Sequence, residues 1–316
     1  MRLRFLVRRL LMLLASLLVA SFVIFGSVYL APGNALAALS GGRSLPPASL
    51  QVLQARYHLD KPFLEQYWYW LSNALHGDFG LSITLRENVS TLITSRMWTT
   101  AGLVLYASII IVVVGIGLGI LSGLRPGILD TTALIVTAIS AAIPAFVAAI
   151  VLILLFAVKL GWFPALGSGS GLLGNIQHLT LPAVALAVSS LAIVARVTRA
   201  SVRAESNREH VQTAISRGIP MRSIVRRHVL RNAAIPITTI TGITIASLIA
   251  VSAVVETAFA LNGLGAYLVQ AAESKDIAVV QGISLVLVAT FVVVNLLVDI
   301  AYALLDPRVS LGARAQ

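Results

Sequence analysis

The chain has 316 residues, 58% of them hydrophobic and 11% charged, with a mean hydropathy of +0.93. A soluble domain carries roughly 25% charged residues, so this chain cannot clothe a water-facing surface and reads as an all-α polytopic membrane protein. Its net charge of +11 resides in basic residues flanking apolar runs, a pattern of orientation and lipid contact rather than nucleic-acid binding, and the absence of cysteine excludes disulfides and thiolate chemistry.

A basic leader with Arg2, Arg4, Arg8 and Arg9 precedes the first apolar run, Leu10 to Leu30. Ala35-Leu36-Ala37 resembles a signal-peptidase site, but the run exceeds a signal core, so an uncleaved first helix is expected. Residues 31–96 then form a large polar excursion with an aromatic cluster. Within it, Lys61 to Trp70 reads as a helix with Pro62 in its first turn and Asp60 as cap. Two compatible uses follow: an interfacial helix anchored by its aromatics, or a platform for an extracytoplasmic protein.

Met97 to Leu124 gives a second span and Thr131 to Val158 a third, separated by the turn Arg125-Pro126-Gly127. Pro144 is expected to kink the third. Pro164, the glycine-serine run 167–171, Asn175 and His178 read as a loop before a fourth span, Leu179 to Thr198. The fifth is Ile237 to Phe259 and the sixth Ile277 to Leu305. With both termini in the cytosol, sixteen of the 23 basic residues fall on inner segments, which fits the positive-inside rule.

Nine of those arginines lie in residues 196–236, a cytosolic loop in an otherwise nearly uncharged setting. Ser206 to Arg217 reads as a helix capped by Ser206 or Asn207. Val211, Ala214, Ile215 and Gly218 make one narrow stripe of small or apolar residues. Gly218-Ile219-Pro220 breaks the helix, a second run spans Met221 to Asn232, and Pro236 is expected to stop it. Small residues ringed by arginines suit a helix seated in an acidic protein groove; a basic helix lying on anionic lipid accounts for the arginines as well.

At this point the chain resembles a known family. Gln212-Thr213-Ala214, three residues, then Gly218 is similar to the Glu-Ala-Ala loop of ABC importer permeases, with Gln212 and Thr213 departing from the pattern. Arg227-His228-Val229-Leu230-Arg231-Asn232-Ala233 and Ile235-Pro236 resemble the dipeptide, oligopeptide and nickel branch. So do Ala31-Pro32-Gly33-Asn34, His58 to Pro62, Gly77 to Ser82, Glu256 to Gly265 and Asn295 to Arg308. The marks match the first permease of a heterodimeric pair.

The resemblance implies one permease domain over residues 1–316, of the six-helix type I importer fold, in a bacterial inner membrane. It implies a homologous second permease, two cytosolic ATP-binding subunits that hold ATP and Mg²⁺, and an extracytoplasmic substrate-binding protein. The cargo would be a peptide or related solute. Val211, Gln212, Thr213, Ala214, Ile215, Arg217, Gly218, Ile219, Pro220 and Arg222 would form the ATPase-coupling segment, with Ala214 and Gly218 supplying close approach and Arg217 and Arg222 the charge.

Other constellations are weaker. No lysine follows a glycine, so the chain has no P-loop of its own. The five histidines form no i, i+4 pair, and no metal or cofactor site is expected. Gly115, Gly119 and Gly123 permit close packing within the chain or against another subunit. Ser140, Pro144, Ser189, Ser190, Ser247 and Glu256 are pathway candidates, with Glu256 and Asp299 the ionisable residues deepest in the spans. The competing functional class is a secondary transporter or channel working without ATPase partners, which would require ionisable groups at the membrane midplane.

Overall fold

The computed structural model describes residues 2–30, 46 and 60–305. Ala31-Pro32-Gly33-Asn34, His58, Leu59 and Asp306-Pro307-Arg308, part of the family-like pattern, lie outside these residues. The described chain is helical, with one isolated β-bridge between Leu81 and Asn88.

The helices are α1 (Arg2–Leu30), α2 (Phe63–Leu75), α3 (Val89–Ile110), α4 (Gly117–Leu124), α5 (Ile128–Ala142), α6 (Ala145–Leu152), α7 (Gly171–Ser206), α8 (Glu209–Ser216), α9 (Met221–Ile224), α10 (Leu230–Ala258), α11 (Leu264–Glu273) and α12 (Ile277–Leu305). A π-helical turn, Ile111–Ile116, joins α3 to α4; a second, Val225–Val229, joins α9 to α10; a third, Ile153–Lys159, extends α6. Among the described residues five helices are long and apolar enough to cross a membrane, and six if α5 and α6 count as one broken span.

Several boundaries differ from the sequence reading. The second span begins at Val89, and the fourth at Gly171, so Asn175 and His178 are helical. Pro144 does more than kink the third span: α5 and α6 meet at 103° across Ile143 and Pro144. Proline lacks the N–H that would continue the ladder, and Pro144 is extended (ψ 147°), so the helix restarts after it. Pro236, expected to stop a helix, lies inside α10, which runs on from Met221 through the π turn to Ala258. The single missing N–H there is spanned by bonded turns on both sides. Pro62, not Asp60, precedes α2, and no side chain caps it.

The chain forms two compact units. One draws on Leu6–Thr100 and Asn262–Val292. Here Phe22 and Phe25 of α1 meet the aromatic face of α2, with ring centroids 5.6 Å (Phe22–Phe63), 5.3 Å (Phe22–Tyr67) and 5.5 Å (Phe25–Trp70) apart. The hydroxyls of Ser21 and Tyr67 lie 2.7 Å apart. These edge-on and tilted pairs add to the apolar area that α2 buries, while Leu64, Trp68 and Leu75 stay exposed.

The same unit holds an apolar cluster of Val89, Leu92, Ile93, Leu264, Ala271, Val279 and Ile283. Buried Asp276 stands before the first residue of α12. Its carboxylate accepts from Ser82 Oγ at 2.6 Å and the Thr84 amide at 3.0 Å, tying the 82–87 turn to the start of that helix. Burial pushes the Tyr267 phenol above its ordinary range, and the Arg96 guanidinium sits 4.1 Å over its ring.

The other unit is built from Ala101–Leu261 and the part of α12 from Val293. Its axis is α7, against which α4, α5, α6 and α10 pack. The glycine repeat makes that packing close. A Cβ on Gly119 would fall 2.7 Å from the Ala195 carbonyl oxygen, one on Gly123 3.0 Å from that of Arg199, and one on Gly115 3.4 Å from that of Leu191. Leu103, Ile111, Leu186, Val194, Leu248 and Phe259 fill the adjoining core. The repeat therefore serves packing within the chain.

Candidate functional site

At 1.5 Å per residue the 36 residues of α7 extend about 54 Å, well beyond a hydrocarbon core of about 30 Å. Its last turns carry Arg196, Arg199 and Arg203 out of the apolar region. Ser206, expected as a cap for the next helix, instead ends α7, its hydroxyl bonding back to the Val202 carbonyl at 2.7 Å. Asn207 and Arg208 make the corner, and α8 starts at Glu209 with no side-chain cap. An ion pair between Glu205 and Arg208, 3.1 Å long, braces the corner.

Helix α8 is short and two-faced. Val211 and Ala214 are buried, packed with Val202, Ile224, Val229, Ala233 and Ile237 of the same chain. Ile219 and Leu230 close over that cluster from its edge. At the end of α8 the Ile219 amide bonds the Ala214 carbonyl (3.2 Å) and the Gly218 amide bonds that of Ile215 (2.9 Å). This is a Schellman ending, and it places Gly218 at φ +71°.

Ala214 spends its small side chain on the chain's own core. Gly218 stands at φ +71°, a conformation glycine adopts without strain, and no atom of the chain lies within 4 Å of where its Cβ would stand.

The opposite face is open. Gln212, Thr213, Ile215, Arg217, Gly218, Pro220 and Arg222 are all exposed. Ile215 at 42% and Met221 at 60% put apolar surface beside the two arginines. Neither Arg217 nor Arg222 has a carboxylate partner among the described residues. The segment has therefore spent one face on its own chain and presents a small apolar patch edged with positive charge.

The pathway candidates are spread over α5, α7, α10 and the α5–α6 break. Ser140 and Pro144 flank the α5–α6 break; Ser189 and Ser190 are half-buried on α7; Ser247 is exposed, its hydroxyl bonding the Thr244 carbonyl at 2.7 Å. Glu256 is fully buried in α10. A small crevice beside α7 is lined by Ser122, Thr137, Arg196 and Arg199, and by none of the candidates.

Two juxtapositions escaped the sequence reading. Asp130, buried in the first turn of α5, binds both Arg199 and Arg203 from sequence distances of 69 and 73. His210 and His228, eighteen positions apart, bring their rings to 6.1 Å. Neither pair leaves a local signal, since each is made by helices meeting in space. Among the described residues no three metal-capable side chains come together.

Comparison with known proteins agrees with this architecture. Residues 115–311 match the family described as "Binding-protein-dependent transport system inner membrane component". Residues 2–104 match "Binding-prot-dependent transport system membrane comp, N-term". A Brucella abortus (strain 2308) protein named as a peptide transport system permease is 37% identical, over 93% of this chain and 94% of its own. The glutathione transport system permease protein GsiC of Escherichia coli (strain K12) is 34% identical, over 97% of this chain and 99% of its own. The fold is similar to a chain of the MetNI methionine ABC transporter in an inward-facing conformation. That match has a TM-score of 0.55 and 21% identity, over 68% of this chain and 96% of the other.

Proposed function

Because the chain belongs to the binding-protein-dependent transport system inner membrane component family, we propose that it carries a peptide, or a peptide-like solute such as glutathione, through a pathway it shares with a second, homologous permease. The chain is a multi-pass permease subunit of an ATP-driven importer and not itself an enzyme. Two cytosolic ATP-binding subunits holding ATP and Mg²⁺ supply the energy. A loaded extracytoplasmic binding protein delivers the solute to the side that carries residues 31–96. Both termini and residues 196–236 face the cytosol, and the whole chain works as one permease domain.

The observation that carries the coupling role is the outward face of α8. Ile215 and Met221 offer apolar contact, while Arg217 and Arg222 offer charge that nothing described in the chain neutralises. A groove lined by carboxylates on an ATP-binding subunit complements both. ATP-driven closure of those subunits would move α8, and α7 with α10 would carry the movement into the membrane.

The test is reconstitution with and without the partners. Chain, second permease, ATP-binding subunits and binding protein together should take up labelled dialanine or glutathione only when ATP is present. Uptake by this chain alone, driven by an ion gradient, would instead establish the secondary-transporter class.

A further inference from the structure

Asp130 accepts three hydrogen bonds from two guanidiniums although it is one of only twelve acidic residues. Arg199 grips it side-on through Nε and Nη2, the latter at 2.7 Å, and Arg203 Nη1 adds a contact at 3.0 Å. Asp130 is 6% exposed, so its carboxylate is sheltered, while the side chains of Arg199 and Arg203 are 21% and 46% exposed. Seven residues further along α5, the Thr137 carbonyl accepts from Arg196 Nη2 at 3.1 Å. Residues 196, 199 and 203 share one face of α7, as 130 and 137 share one face of α5. Two helical turns of α5 are therefore pinned to the end of α7.

The other side of α7 is fixed as well. The Arg199 carbonyl lies 3.0 Å from where a Gly123 Cβ would stand, so the backbone at 199 is pressed against α4 while its side chain holds Asp130. Three residues beyond Arg203, α7 ends, and the Glu205–Arg208 pair bridges the corner into α8. Two separate ionic contacts thus lie along the end of α7: Asp130 with Arg199 and Arg203, and Glu205 with Arg208 at the corner.

A buried ion pair adds little net stability over packed apolar residues; its best-attested contribution is to fix register. We propose that Asp130 is a positioning residue for transport coupling: with Arg199 and Arg203 it forms a clamp that makes α5 and the end of α7 move together when α8 is displaced. Without it, movement carried from α8 into the end of α7 would not pass on to α5. The inference rests on the docking of α8 on ATP-binding subunits.

The experiment uses the complete transporter in proteoliposomes, with its binding protein, and measures labelled dialanine or glutathione taken up per ATP hydrolysed. Asp130→Asn should lower that ratio about tenfold, within the usual range of coupling between sites, while ATP-binding subunits stay attached and hydrolyse ATP. The charge swap Asp130→Arg with Arg199→Asp should restore most of it. Wild-type uptake per ATP in Asp130→Asn would overturn the proposal. If that variant fails to assemble, the swap decides: assembly regained without coupling overturns it, and both regained supports it. Loss of ATP-binding subunits from a chain altered only on the outer face of α8 tests the docking reading separately.

Discussion

Gly119→Ala should cost about 3 kcal/mol of stability, the upper end for overpacking a filled core, whereas Gly117→Ala in the same segment should be neutral or slightly stabilising. The two glycines are one half-turn apart on α4 and differ only in what they face. A methyl group at 119 would sit 2.7 Å from the Ala195 carbonyl oxygen, part of a helix backbone that cannot yield without α7 shifting. At 117 nothing lies within 4 Å, and alanine is the better helix former by about 1 kcal/mol. Gly123→Ala, at 3.0 Å, should fall between Gly119→Ala and Gly115→Ala, whose nearest contact is 3.4 Å. Equilibrium unfolding of the four variants in mixed detergent ranks them. The order 119, 123, 115, 117 is expected, and equal effects at 119 and 117 would mean that α4 and α7 are not packed as described.

Arg217→Glu combined with Arg222→Glu should detach the ATP-binding subunits while leaving the membrane chain folded. Both side chains are exposed and unpaired by any carboxylate among the described residues, so their reversal removes no internal contact. Surface changes of this sort usually stay within about 0.5 kcal/mol of the parent stability. At the interface, reversal sets like charges against one another. Such juxtaposition costs several kcal/mol, and every 1.4 kcal/mol is about tenfold in affinity. Copurification should therefore fall at least about tenfold with an unchanged unfolding midpoint. Retained subunits would remove charge as the basis of docking. Ala214→Leu makes the converse case, because it overfills the chain's own cluster and should destabilise the chain by about 1–3 kcal/mol before any partner is involved.

That contrast marks where the sequence was legible. Uncharged runs announce membrane helices because hydrophobicity is a local property, and the last span, Ile277–Leu305, matches its predicted limits. Gly218 as a helix exit was also readable, since αL termination is written into one residue. The polar residues from Asn175 to His178 misled, because a helix long enough to leave the membrane needs no apolar residue at its end. Pro144 signalled an interruption but not 103° of it, an angle set by what α5 and α6 each pack against.

The stripe Val211, Ala214, Ile215, Gly218 illustrates a different limit. Only Val211 and Ala214 of that stripe are buried, while Ile215 and Gly218 are exposed, and the pattern does not say what covers the buried pair. Val202, Ile224, Val229, Ala233 and Ile237 answer that question, and they come from α7, α9, the π turn and α10. Asp130 was invisible for the same reason: its partners stand 69 and 73 residues away in another helix.

The account turns on which face of α8 meets an ATP-binding subunit, and the absence of cysteine makes that measurable. Single cysteines placed at Arg217, Ile215 or Ala214, treated with a short thiol-reactive cross-linker in the assembled transporter, give the most direct test. Cysteine at 215 and 217 should cross-link to an ATP-binding subunit, and at buried 214 it should not. Cross-linking at 214 with none at 215 and 217 would contradict the assignment of the two faces.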